Sequence, residues 1–265
     1  MLVQERRQRV LDLVNRQGFA SLMDLARAVG ASESTVRRDL EYWHQQGVVR
    51  RVHGGAMQAG DGANFPALEE RLHSRIEEKR AIAAAAAERI QDGDAVLLDG
   101  GTTTLELARL LVGRPLQVVT NSLPIAQVLL NSRETDLVML GGYIYPKTGV
   151  ALGPLTVRML PDLHVHQTIL SVGGITAKGL FNSNLLLVET ERQMLRCADE
   201  VVVVADHTKV GRQALAFLCE LSVIDTLIVD HDLSAQQKQL LNQADARVIL
   251  AGRPSDNGSR RKSQR

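Results

Sequence analysis

Two hydrophobic rhythms divide this chain. Up to residue 58 the apolar positions recur at helical spacing, whereas from residue 93 onward short apolar runs alternate with clusters of glycine, threonine and aspartate. Val10, Leu11, Leu13 and Val14 share a face within residues 4–17, and Gly18 closes that segment. Ser21 suits the N-cap of a second helix with Leu22, Leu25, Ala26 and Val29 inward, and Gly30 supplies its turn. Ser32 then caps a third helix running to about Gln46. At roughly 100° per residue, Val36, Leu40 and Trp43 point one way and Ser34, Arg38 and Glu41 the other. Thr35, Arg37 and Tyr42 flank that outward face. Val48, Val49 and Val52 have strand character, and the Gly54-Gly55 pair signals a hairpin.

Past Gly93 the apolar runs cover 95–99, 116–120, 136–140, 168–172, 201–205, 226–230 and 247–250. Buried strands alternating with helical stretches predict an α/β domain with a parallel-rich sheet covered by helices. Between the two patterns, residues 58–65 read as a small, polar linker. Pro66 opens a helical stretch to Ile90, charged at first, alanine-rich later and broken near Ser74. Its expected role is to connect the domains and pack on the sheet. The predicted organisation is therefore 1–58, an α-helical winged domain; 59–75, linker and start of the connecting helix; 76–252, the α/β domain; and 253–265, a disordered basic tail.

Composition narrows the function. The 265 residues suit about two domains, and 45% are apolar, enough for real cores. No apolar run approaches the roughly 18 residues of a membrane span, and the charged N-terminus lacks a signal-peptide core. A cytoplasmic location is expected. Cys197 and Cys219 show neither disulfide nor metal-ligand spacing and read as packing; no cofactor or metal is expected. The net charge of +1 excludes a polycation, so any nucleic-acid affinity must be local. Residues 1–58 carry nine arginines against six acidic residues. The tail, with Arg253, Arg260, Arg261, Lys262 and Arg265 against Asp256, is either a solvated end or an aid to nonspecific DNA affinity.

The outward face of the third helix begins with hydroxyls and guanidinium groups at its N-terminal end. That is the end a recognition helix presents to base edges in the major groove. An arginine there suits bidentate bonding to guanine. Ser32, Ser34, Thr35, Arg37 and Arg38 are thus candidate DNA contacts, with Arg50, Arg51 and His53 on the following hairpin beside the phosphates. His53 suits a solvated turn equally well. In the α/β domain, polar clusters fall at the carboxyl ends of predicted strands, where ligands bind in such sheets. The stretch Asp99-Gly100-Gly101-Thr102-Thr103-Thr104 joins glycines, hydroxyls and a helix N-terminus, which suits a phosphate; a merely capped turn is the alternative. It is neither a P-loop nor a dinucleotide fingerprint. Lys209 is either a cation for the same ligand or a surface lysine.

Residues 32–55 resemble the DNA-binding signature of the DeoR family of bacterial transcriptional regulators. Ser32, Thr35, Val36, Arg37, Arg38, Asp39, Leu40, Gly47, Val49, Arg51, His53, Gly54 and Gly55 carry the match, with Trp43 in place of a leucine. The later clusters resemble that family's sensor domain, whose fold is ribose-5-phosphate-isomerase-like. Asp99, Gly101, Thr102, Thr103, Thr120, Asn121, Gly141, Gly142, Gly153, Gly174, Glu189, Asp206, Lys209 and Gly211 fall on its pattern. The resemblance implies operator DNA and a phosphorylated sugar or related effector as partners, a homo-oligomer (dimer or tetramer), and a repressor of a carbohydrate catabolic operon. It implies an effector site built from Asp99, Gly101, Thr102, Thr103, Thr104, Asn121, Gly141, Gly142, Gly174, Glu189, Asp206 and Lys209. Gln193 and Leu186 stand where the family carries a lysine and an acid, which points away from a usual sugar phosphate. Two rivals remain: an isomerase-like enzyme using Asp99, Glu189 and Asp206 as acid/base carboxylates, and a constitutive DNA binder with a decayed pocket.

Overall fold

A computed structural model describes residues 2–17, 19–46, 48–52, 54–58 and 68–252. The N-terminal part runs α1 (Val3–Gln17), β1 (Phe19–Ser21), α2 (Leu22–Val29), α3 (Glu33–Gln45), β2 (Val49–Val52) and β3 (Gly55–Gln58). Its helix ends follow from the caps. The Ser21 hydroxyl accepts the Asp24 amide, and Gly30 adopts φ 63°, a left-handed turn that a side chain would strain. Val10, Val14, Leu25, Val29, Val36 and Leu40 form the core, joined from the hairpin by Val49 and Ala56. The strands make an antiparallel sheet in the order β1-β3-β2, so the expected hairpin forms and gains a third strand.

The second part continues with α4 (Leu68–His73), α5 (Ile76–Ala87), β4 (Ala95–Leu98), α6 (Thr102–Leu111), β5 (Gln117–Thr120), α7 (Leu123–Leu129), β6 (Asp136–Met139), β7 (Tyr143–Tyr145), β8 (Val150–Leu152) and α8 (Pro154–Met159). After these come β9 (Val165–Ser171), β10 (Gly174–Thr176), β11 (Gly179–Asn182), α9 (Leu185–Met194), β12 (Ala198–Ala205), β13 (Ala216–Cys219), β14 (Thr226–Asp230), α10 (Ala235–Leu241) and β15 (Arg247–Ala251). The seven apolar runs of the sequence become one fully parallel sheet, ordered β15-β14-β12-β9-β4-β5-β6. Both faces are buried. Along β12, Val202 and Val204 join the core beneath α5, α6 and α7, while Val201, Val203 and Ala205 join the opposite core. That is the period-two division expected of a strand covered on both sides.

This order contains a reversal. From β4 the chain steps to β5 and β6 on one side, then returns so that β9 lies on the other side of β4, with β12, β14 and β15 beyond. The loops leaving β4 and β9 therefore diverge, and a crevice opens over their carboxyl ends. The β10-β11-β13 sheet and the β7-β8 hairpin, both antiparallel, border that region and were not expected from the sequence. Their strands are three or four residues long and too short to show a period. The connecting helix breaks as expected, after Ser74. Arg75 there has φ 52°, the sole positive value at a non-glycine among the described residues.

Candidate functional site

The first candidate surface is the exposed side of α3. Ser32 caps the helix, its Oγ accepting the Thr35 amide at 3.3 Å and lying 2.9 Å from the hydroxyls of both Ser34 and Thr35. Three hydroxyls thus cluster at one helix end. Arg37 and Arg38 are exposed and make no hydrogen bond or ion pair with any described residue, so all their donors face water. Val36 and Leu40, fully buried, hold that face outward. Arg51, exposed on β2, is ion-paired to Glu41 of α3, which ties the hairpin to the helix. Arg50 lies in β2, whereas His53 falls outside the described residues.

A buried carboxylate beneath this surface has a function that sequence reasoning missed. Asp39 is 1% exposed and accepts Arg6 Nε at 2.7 Å and Arg7 Nε at 3.3 Å, binding α1 to α3. The bond to Asp39 raises the Arg6 pKa above its ordinary value. Trp43 Nε1 donates to the Arg7 carbonyl at 2.8 Å, and the Arg7 guanidinium lies over the Tyr42 ring at 4.1 Å. Asp39 belonged to the family signature. The signal that it is structural was its place two residues from the outward Arg37, about 200° round the helix.

The second candidate is a cavity of about 460 Å³ in the crevice at the reversal of strand order. Gly100, Thr102 and Thr103 reach it from the end of β4, Ser171, Val172 and Gly173 from β9, and Ala205 and Asp206 from β12. Five cationic side chains line it: Arg71, Arg75 and Lys79 from the α4–α5 corner, and Lys209 and Arg212 from the loop after β12. The corner cations escaped sequence reasoning, although their four-residue spacing was visible in the charged stretch. Lys79 is 5% exposed, and its ammonium donates to the carbonyls of Arg71 and of Ser74, the latter at 2.5 Å. Arg71 donates to the Lys147 carbonyl at 3.2 Å. Burial lowers the pKa of Lys79 and of Lys209, with the Asp206 carboxylate opposing it in both. Asp206 itself accepts the Thr208 amide at 3.1 Å and caps the short helical turn bearing Lys209.

Several expected effector residues serve the framework. Thr104 Oγ1 accepts the Gly101 amide at 2.8 Å and donates to the Asp99 carbonyl at 2.7 Å, closing the loop on itself. A Cβ at Gly100 would collide with Val150, and one at Gly101 with Ser171. Both glycines admit neighbouring protein, and Gly100 also lines the cavity. Asn121 donates to the Ala151 carbonyl at 3.2 Å and, like Gly141, Gly142 and Gly174, does not line the cavity. Asp99, 1% exposed, sits below Gly100 rather than in the lining.

Glu189 requires a correction. It is exposed, and the carboxyl that faces the cavity is Glu191, 1% exposed, one helical turn after the lining residue Leu187. Two residues of helix rotate a side chain by about 200°, so Glu189 and Glu191 lie on opposite sides of α9. Leu186 packs in an apolar cluster with Tyr145 and Val150, and neither it nor Gln193 lines the cavity. Burial and the nearby Asp99 charge push the Glu191 pKa well above the ordinary carboxyl range, against the Asn182 hydrogen bond. Burial likewise lifts Asp99 to about 6, against the amides of Gly100 and Ser171.

Comparison with known proteins covers both regions. The DeoR-like helix-turn-helix domain matches residues 6–59, and the DeoR C terminal sensor domain matches residues 74–231. The chain is similar to a putative aga operon transcriptional repressor of Escherichia coli, 31% identical over 252 residues that span 94% of each chain. It is similar to the glycerol-3-phosphate regulon repressor of Escherichia coli, 30% identical over 228 residues, 85% of this chain and 90% of the relative. Among solved structures, ribose 5-phosphate isomerase A from Methanocaldococcus jannaschii overlays at a TM-score of 0.38 with 18% identity, over 51% of this chain and 55% of that one.

Proposed function

We propose, for a chain that belongs to the DeoR family of transcriptional regulators, that the cavity holds the phosphorylated effector whose binding releases operator DNA. The chain is a DNA-binding regulator, read as a repressor of a carbohydrate operon in keeping with its relatives' names. The observation that carries the effector reading is the convergence of Arg71, Arg75, Lys79, Lys209 and Arg212 on one cavity beside Thr102 and Thr103. Those threonines open α6, where backbone amides and the helix dipole favour an anion.

Arg37 and Arg38 are read as the operator contacts, with the Ser32, Ser34 and Thr35 hydroxyls beside them. One recognition helix covers only a few base pairs, so specificity calls for an oligomer reading repeated half-sites. A dimer or tetramer joined through the sensor domain meets that need. No helix among the described residues is long and apolar enough to cross a membrane, and a cytoplasmic location fits a DNA reader. No turnover is proposed. Of the three carboxyls that an isomerase would need, Glu189 is exposed and Asp206 is engaged in capping.

A ligand moves DNA affinity only through unequal affinity for two states, typically about 1–3 kcal/mol of coupling. The test is thermal melting and operator release with phosphorylated and dephosphorylated forms of the same sugar. The phosphorylated form should stabilise the protein and release DNA, and the neutral form should do neither. Thr103→Ala should weaken the response by roughly 1.5–3 kcal/mol, the range for a hydrogen bond to a charged group. Its operator affinity without ligand should stay unchanged. Equal responses to both forms would reject the phosphate.

A further inference from the structure

The cavity has a second chemistry that phosphate binding does not use. Glu191 enters it from α9 with its two oxygens in different states. Asn182 Nδ2 donates to Oε1 at 2.5 Å, whereas Oε2 is buried and has no hydrogen-bond partner. Just below, Asp99 receives the amides of Gly100 and Ser171, yet its Oδ1 is also buried and without a partner. Neither carboxyl forms a salt bridge among the described residues, although the Arg71 charge acts on Asp99. A buried acceptor left unmatched is costly, and two neighbouring carboxyls add mutual repulsion.

Without a ligand the pair relieves that repulsion by holding protons, and a ligand hydroxyl would leave it so. An ammonium gives up to three donors and a positive charge that lets the carboxyls ionise. The five cations already gather on the α4–α5 corner and the loop after β12, and they suit the phosphate of a dipolar ligand. A volume of about 460 Å³ holds a compound of that size.

We propose that the effector is a phosphorylated amine, an amino sugar or amino polyol phosphate, whose ammonium donates to Oε2 of Glu191 with Asp99 as the second carboxylate behind it. The proposal rests on the phosphate reading above and narrows it. It makes Glu191 the residue that determines specificity. It also gives a physical reason why a usual sugar phosphate would be a poor ligand.

Calorimetric titration of the full chain separates the two ideas. The probes are glucosamine 6-phosphate against glucose 6-phosphate, galactosamine 6-phosphate against galactose 6-phosphate, and the unphosphorylated hexosamines. In at least one pair the amine should bind about tenfold more tightly than its hydroxyl partner. N-acetylation, which removes the charge, should abolish that advantage in the wild-type protein. Glu191→Gln should bring the ratio close to one by weakening the amine far more than its hydroxyl partner. Amine and hydroxyl phosphates of equal affinity in both pairs would overturn the ammonium proposal and leave the phosphate reading standing. Phosphorylated and unphosphorylated hexosamines of equal affinity would overturn the phosphate reading instead. The N-acetyl arm decides even where the Glu191 variant fails to fold.

Discussion

Arg37 and Arg38 stand exposed on α3 without a partner, while Lys79 is buried in the cavity wall with its ammonium bound to two carbonyls. The same kind of charge is held in opposite ways in the two regions. DNA is a long polyanion, and binding it gains from counterion release, which needs charges that are free and mobile. A small anion offers a few oxygens at fixed places, so its site gains from cations already desolvated and oriented. The N-terminal region keeps its ordered arginines underneath, where Arg6 and Arg7 bind Asp39, and leaves its working ones loose. The sensor region buries Lys79 and half-buries Lys209, while Arg75 and Arg212 at the same cavity stay exposed.

That contrast is testable from its strongest element downward. Asp39→Ala removes the buried partner of two guanidinium groups. It should destabilise the N-terminal domain by about 3 kcal/mol, at the low end for a broken buried pair because both arginines are partly exposed. Calorimetry should show the N-terminal transition falling while the sensor transition holds. A joint fall would mean that the two regions do not keep their charges independently.

Arg38→Ala removes a charge that touches nothing in the protein. Operator binding should weaken by roughly 1–3 kcal/mol with no change in melting temperature. Wild-type affinity in a fluorescence titration would take the recognition role away from this face of α3. The smallest effect concerns the sensor. Asp99 titrates near 6 in the folded chain, above its ordinary 3.8, because it is buried. The native state therefore holds an extra proton between about pH 4 and 6, and stability falls as pH rises through that window. The sensor transition should be more stable at pH 5 than at pH 7 by about 1 kcal/mol. Glu191, whose pKa is raised as well, adds a slope of the same sign, so Asp99→Asn should reduce the slope, and a slope left unchanged would assign the proton to Glu191.

Both domains were legible in the sequence wherever burial was one- or two-sided and continuous. Val36 and Leu40 fixed the outward face of α3, and the seven apolar runs fixed the parallel sheet. The three-residue strands β7, β8 and β10 were not legible, since a pairing so short has no period to read. The cavity was half legible. Thr102 and Thr103 follow the glycine pair at the end of β4, and Asp206 and Lys209 follow the end of β12, where position alone points to a ligand. Arg71, Arg75 and Lys79 lie far away in the chain and read as an ordinary solvated helix; only the fold brings them to the loop. Glu191 was not legible, because it lies two residues from the expected Glu189, which on a helix exchanges one face for the other.

Gly100 and Gly101 are small because Val150 and Ser171 stand against them, not because a ligand does. The shape of the anion loop is therefore inherited with the sheet, and selection on effector identity has little hold over it. The α4–α5 corner supplies the cations and the loop supplies the amides, so both are bound to the anionic group, whereas α9 brings the carboxyl of Glu191. A change of effector with the anion kept would therefore fall on the α9 face and leave the loop and the corner as they are.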